Sequence, residues 1–155
     1  MERQFNEEMK KILQGVYIIT SSFGAKKNAM AAAWVSRLSF NPPMLMVSVG
    51  DGRHSQDIIS KGKCFAVHAA GEKQLQMAKE FGSLSGRDSD KLAGKKFSAG
   101  KSGAPILDEC IAWFDCRLVK EVRAGDHIVF IGEVIDAKTV SPEEKTLAYD
   151  RERFK

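Results

Sequence analysis

Apolar and polar positions alternate along most of this chain with the short period of strands, interrupted by a few segments of helical period. Residues 16–23 are β-branched and aromatic, residues 24–28 supply a turn, and residues 29–36 form the second arm of a hairpin. Four alanines within residues 29–33 leave that arm nearly bare, a surface against which something bulky can lie close to the backbone. Asn41-Pro42-Pro43 breaks the chain and launches a buried strand over residues 44–49. After a turn at Gly50-Asp51-Gly52 the pattern predicts a helix over 55–62 that stops at Gly62, a strand over 64–69 and a helix over 72–81. Residues 111–122 alternate, with Ala112, Phe114, Cys116 and Leu118 on one face and Asp115 and Arg117 on the other. A turn at 124–126 leads to a strand over 127–135, and the tail 146–155 reads as a closing strand. At the other end Phe5, Met9, Ile12 and Leu13 have helical spacing and predict a short amphipathic lid. Residues 82–105, rich in Gly, Ser and charge, read as a long functional loop with at most one turn of helix. Many short strands with few helices point to an antiparallel barrel, in which closure removes exposed edges.

With 155 residues, 43% of them hydrophobic, the chain can bury a core of its own, and a single domain over 1–155 is expected. The opening Met1-Glu-Arg-Gln-Phe-Asn-Glu-Glu lacks the apolar run of a secretory leader, and no stretch approaches the roughly 20 apolar residues of a membrane-spanning helix. The expectation is a cytoplasmic protein without a membrane partner. Cys64, Cys110 and Cys116 have no C-x-x-C spacing, which argues against disulfides and structural zinc and for reduced, buried thiols. The net charge of +4 is spread among acidic residues rather than gathered in a stripe with aromatics, so nucleic acid is not the expected partner. A mild positive balance favours an anionic small ligand.

Two phosphate motifs fail on spacing. Gly94-Lys-Lys-Phe-Ser-Ala-Gly100-Lys101-Ser102 has five residues between its glycines where a Walker loop needs four, and no buried strand precedes it. Gly50-Asp-Gly52-Arg-His-Ser55 begins like a dinucleotide fingerprint but ends in serine and lies outside any βαβ unit. The same turn has better physics as a monophosphate cradle, because Arg53, His54 and Ser55 precede a helix whose free N–H groups attract anions. An ordinary helix cap by Asp51 or Ser55, with Arg53 in solvent, is the alternative. His54, His68 and His127 have no spacing that sets two of them on one helical face and no carboxylate placed beside them, so no metal is expected. His127 is a candidate hydrogen-bond donor or proton source, or a hairpin residue satisfying its own turn. Trp34 offers a plane on which a flat heterocycle can stack, though core packing is the commoner fate of tryptophan.

Taken in order, four segments resemble the flavin reductase-like family of FMN-binding split barrels, and its flavoredoxin-like branch in particular. They are Asn28-Ala-Met-Ala-Ala-Ala-Trp34 with Ser39-Phe-Asn-Pro-Pro43, Arg53-His-Ser55, Phe81-Gly-Ser-Leu-Ser-Gly-Arg-Asp-Ser-Asp-Lys91, and Gly125-Asp-His-Ile-Val-Phe-Ile-Gly-Glu-Val134. The resemblance implies a mainly β fold, a six-stranded antiparallel Greek-key barrel with short helices, dimerising with FMN at or near the subunit interface. Carried over by position, Asn28, Ala29, Met30, Ala31, Ala32, Ala33, Trp34 and Ser36 would line the isoalloxazine, with Ser48, Val49 and Gly50 supporting it. Arg53, His54 and Ser55 would hold the phosphate. The segment that opens with Phe81 and Gly82 would close over the ribityl chain or phosphate through Ser85, Gly86, Arg87 and Lys91, and His127 would stand near the reactive edge of the ring. The implied activity is NAD(P)H-dependent reduction of flavin or ferric ion, with hydride arriving at flavin N5 and electrons passing to a small acceptor or a protein partner. A flavoredoxin-type electron carrier that does not react with NAD(P)H is the alternative. One departure is visible: many relatives carry Thr or Ser where this chain has Ala31 to Ala33, which leaves backbone N–H groups to bond the ring.

Overall fold

The computed structural model describes residues 3–87 and 90–155. Nine strands and three α-helices are present among them: α1 (Asn6–Met9), β1 (Tyr17–Phe23), β2 (Lys26–Ala32), β3 (Val35–Phe40), β4 (Pro43–Gly50), α2 (His54–Gly62), β5 (Cys64–Ala69), α3 (Leu75–Ser83), β6 (Phe97–Ala99), β7 (Pro105–Leu107), β8 (Ala112–Ala124) and β9 (His127–Thr139). Seven strands form one antiparallel sheet in the order β2-β1-β5-β8-β9-β4-β3, and β6 pairs with β7. The β2 and β3 edges are consecutive in the chain, yet Met30 of β2 and Val35 of β3 meet the same interior as Ile19, Val47, Val49, Phe65, Val67 and Phe130. The sheet therefore curls around one core and remains split between β2 and β3, with Ile59 of α2 packed into the interior.

The predicted hairpin exists, but its second arm ends at Ala32, and Ala33–Trp34 separates it from β3. That break makes two edge strands out of one predicted arm and raises the sheet from six strands to seven. The helix α2 ends at Gly62 as expected, but the residue that turns the chain away is the next one. Lys63, not a glycine, takes the left-handed position with φ 58°. Gly62 is needed for space instead, because a Cβ there would fall 1.7 Å from the Ser22 carbonyl oxygen on β1.

Four further expectations are corrected. The amphipathic lid shrinks to one four-residue helix, and Phe5, Met9, Ile12 and Leu13 are all exposed. The loop over 82–105 is partly ordered by the β6–β7 ribbon. The tail forms no strand: it makes an isolated bridge between Gly15 and Ala148, buries Leu147 against Val16 and Ala70, and ends in a 3₁₀ turn at Arg151–Phe154. Asp115, placed on a polar face by alternation, is fully buried, since a bulge between Asp115 and Cys116 shifts the register. Its carboxylate accepts hydrogen bonds from the Ser102 backbone N–H at 3.0 Å and from the Ser102 hydroxyl. The three cysteines are free and buried, and burial pushes the Cys110 and Cys116 thiols up to about 11 and about 12. No helix among the described residues is long and apolar enough to cross a membrane.

Candidate functional site

A cleft of about 190 Å³ opens where β2 passes the N-terminus of α2 and the end of α3. It brings together Asn28, Met30, Arg53, His54, Ser55, Gly82, Ser85, Gly86 and Lys91 of the predicted residues. Gly52, Ser83 and Leu84 also line it and were not predicted. Arg87 stands near the mouth, donating from a guanidinium N–H to the Gly52 carbonyl at 2.9 Å. Asp88 and Ser89, which fall within the matched segment, lie outside the described residues.

The local sequence explains the cleft. Gly52 has φ 80° and turns the chain out of β4, and Arg53 serves as the N-cap residue of α2 without any side-chain cap. Neither Asp51 nor Ser55 caps the helix. Asp51 pairs instead with Arg123 at 3.1 Å, and Ser55 is 97% buried with its hydroxyl oxygen accepting a 2.6 Å bond from the Asn28 amide nitrogen. Free N–H groups at the start of this nine-residue helix consequently face the cleft's basic side chains rather than a carboxylate.

Charge in the cleft is one-sided. Burial and then the Arg53 guanidinium push Lys91 down to about 8, and its ammonium group donates to the Phe81 carbonyl at 2.9 Å. Burial and then Arg87 lower His54 against the opposing pull of Asp57, with Lys26 and Lys91 adding smaller repulsion. No carboxylate is among the described lining residues. Asn28 Oδ1 is buried without a hydrogen-bond partner, and Gly86 fits so closely above it that a Cβ would come within 2.1 Å. Cations with no carboxylate among the described lining residues and an orphaned amide oxygen, an acceptor, suit an anionic group that also carries hydroxyls.

The other predicted residues gather beyond the far end of β2. Ala31, Ala32 and Ala33 are half-buried along the strand, and Trp34 is 45% exposed rather than in the core. Its ring stacks on His127, centroids 4.5 Å apart at 27°. The Ser48 backbone N–H donates to the Trp34 carbonyl at 3.0 Å, and Gly50 pairs with His127 across β4 and β9, where a Cβ would lie 3.4 Å from His127 Nε2. His127 Nδ1 lies 2.7 Å from Asp126 Oδ1, so a carboxylate does stand beside this histidine, contrary to expectation. That bond holds the Asp126 carboxyl below its usual range. The signal was present in the Gly-Asp-His turn, where the two residues are adjacent. Ser36 is exposed on β3 and donates to the Arg37 carbonyl. Three predicted side chains point elsewhere: Ala29 and Phe81 pack with Ile18 and Met77, and Val49 is in the main core. Among the described residues no group of three or more His, Cys, Asp or Glu is placed to hold a metal ion.

The two clusters are tied together by β2 itself and by the turn after β4, where the Asp51 N–H donates to the Asp126 carbonyl at 3.0 Å. Six residues separate Asn28 from Trp34, roughly 20 Å of extended chain. β2 thus links a basic cleft at one end to an aromatic–imidazole stack beyond the other, its alanines alternating between the α3 side (Ala31) and the main core (Ala32).

Comparison with known proteins bears on the same segments. Diflavin flavoprotein A 1 of Synechocystis is 29% identical over 97% of this chain but only 26% of its own length. High molecular weight rubredoxin of Moorella thermoacetica is 35% identical over 87% of this chain and 60% of its own. The chain therefore spans from about a quarter to three fifths of these relatives. The solved structure of the NADH:FAD oxidoreductase SgcE6 of Streptomyces globisporus superposes with a TM-score of 0.86 at 25% identity, covering 95% of this chain and 87% of that one. The family described as flavin reductase like domain matches residues 9–155, so that the barrel, the basic cleft and the Trp34–His127 stack all fall within the match, and the chain belongs to the flavin reductase-like domain family.

Proposed function

We propose that this protein is an FMN-binding flavoprotein acting as an NAD(P)H-dependent flavin or ferric reductase, a cytoplasmic homodimer built on one domain over residues 1–155. The observation that carries the reading is a basic cleft, with no carboxylate among its described lining residues, joined by β2 to the Trp34–His127 stack. Arg53, Ser55, Arg87, Lys91 and the N-terminus of α2 hold the phosphate, with Gly86 and Ser85 closing over the adjoining polyol. Ala31 to Ala33 supply backbone N–H groups for the ring, and Ser48 and Gly50 support its edge. Bound FMN would supply the redox chemistry, taking hydride at N5 from a nicotinamide and passing electrons to free flavin, ferric ion or oxygen. With Nδ1–H donated to Asp126, His127 keeps Nε2 as the atom that holds or delivers a proton at the ring's edge. Exposed Leu38 and Phe40, which share a shallow apolar hollow on the β3 edge, support a second subunit covering that edge.

A second reading is an electron carrier whose bound FMN exchanges electrons with a protein and does not react with NAD(P)H. It is favoured by the relatives in which the matching region is a fraction of a longer chain, a rubredoxin and a diflavin flavoprotein by name. Anaerobic addition of NADH and then NADPH to the FMN-loaded protein separates the two. Loss of the oxidised-flavin absorbance within seconds to minutes is the expected result, and a spectrum that stays oxidised with both donors would select the carrier.

A further inference from the structure

Asn28 is 97% buried and uses only half of its amide. Its Nδ2 donates to Ser55 Oγ at 2.6 Å, which occupies an acceptor position on the hydroxyl and turns its proton away from β2. Ser55 is 97% buried as well, in the first turn of α2, where the free backbone N–H groups converge. No described acceptor takes the Ser55 proton. The amide's other end, Oδ1, is the one buried side-chain polar atom without a partner among the described residues, and it faces the cleft beneath Gly86. A strand residue that packs beside Ala29 and Met30 needs no amide for the fold, since an apolar side chain would avoid the orphaned oxygen.

We infer that Asn28 is a positioning residue that makes the cleft select a phosphorylated flavin over its unphosphorylated form. By donating to Ser55 it commits the serine proton to the ligand phosphate, and its own carbonyl is left for a hydroxyl of the polyol next to that phosphate. The inference rests on the phosphate assignment made above. It differs in placing Asn28 at the polar end of the ligand rather than under the ring, and in making Ser55 a donor whose direction is set from another strand. The opposite amide orientation would have Ser55 donate to Asn28 and leave no proton for the ligand, so the two arrangements predict different binding.

The test is titration of wild type, Asn28→Leu, Ser55→Ala and the double variant with FMN and with riboflavin. Wild type is expected to prefer FMN. Asn28→Leu and Ser55→Ala are each expected to weaken FMN by roughly tenfold or more, with the double variant no weaker than the worse single one. Riboflavin, which keeps the polyol but lacks the phosphate, should change less than twofold in Ser55→Ala and should weaken in Asn28→Leu by clearly less than FMN does, a difference that a role limited to holding the fold would not produce. Asn28→Ser, too short to reach Ser55 but easily accommodated, guards against misfolding of the leucine variant and should show the same loss. Independent, additive losses, equal losses for both flavins, or an Asn28→Leu protein that keeps the FMN preference would each overturn the inference while leaving the phosphate cleft in place. A wild-type protein that binds both flavins equally would remove the cleft assignment and this inference with it.

Discussion

Lys91 carries the clearest chemical signature at the level of single residues. Burial and Arg53 hold its ammonium group at about 8, and a phosphate beside it would favour the charged form, so binding takes up a proton once the pH passes that value. FMN affinity should therefore be level below about pH 8 and fall as the pH rises above it. In Lys91→Met the affinity should be lower and its alkaline decline absent, a comparison that calorimetric titration across pH makes directly. Residue legibility in the sequence followed distance along the chain. Arg53, His54 and Ser55 are contiguous at a helix start, and a helix start has a known chemistry. The Asn28–Ser55 bond spans 27 positions, and nothing local announces it. Ala29, Val49 and Phe81 sit in matched segments yet face the core, because successive strand residues point to opposite sides and Phe81 lies on the buried stripe of α3.

Among the elements, the β6–β7 ribbon depends on one histidine. His68 is fully buried on β5, with Nδ1 3.0 Å from the Ile18 carbonyl and Nε2 accepting the Leu107 N–H at 2.9 Å. The Nε2 bond needs the neutral ring, and burial, which outweighs the opposing bond from Nδ1–H to the Ile18 carbonyl, pushes the ring down to about 4. A lowered folded-state value means the stabilisation is full above the unfolded value of about 6.5 and is lost as the pH falls from there toward 4. The loss should be on the order of 3 kcal/mol, read as a drop in urea midpoint between pH 7 and pH 4 that His68→Gln reduces. Hairpins, the chain break at Asn41-Pro42-Pro43 and the helix α2 were legible because turns and periods are local signals. The ribbon and the tail were not. Each is held by distant partners, His68 and Thr20 for β7, Ala70 and Gln14 for the tail, and the tail's alternation pointed to a strand it does not form.

For the whole molecule, the break at Ala33–Trp34 is the organising event. It splits the barrel, creates the two sheet edges, and sets Trp34 on His127 at the mouth, while the uninterrupted part of β2 leads back to the basic cleft. Pattern alone supplied an antiparallel barrel; seven strands rather than six follow from a bend that alanine-rich sequence does not mark. The joining of a basic cleft to an aromatic–imidazole stack through β2 is the feature on which the proposed function depends. The most direct measurement is FMN titration, by quenching of flavin fluorescence, of wild type and of a variant combining Arg53→Ala with Ser55→Ala, with circular dichroism reporting the fold. The account predicts saturable binding by wild type and a loss of at least roughly tenfold in a variant that keeps its β-sheet spectrum. Wild-type protein that does not bind FMN, or a folded variant that binds it equally well, would contradict the account.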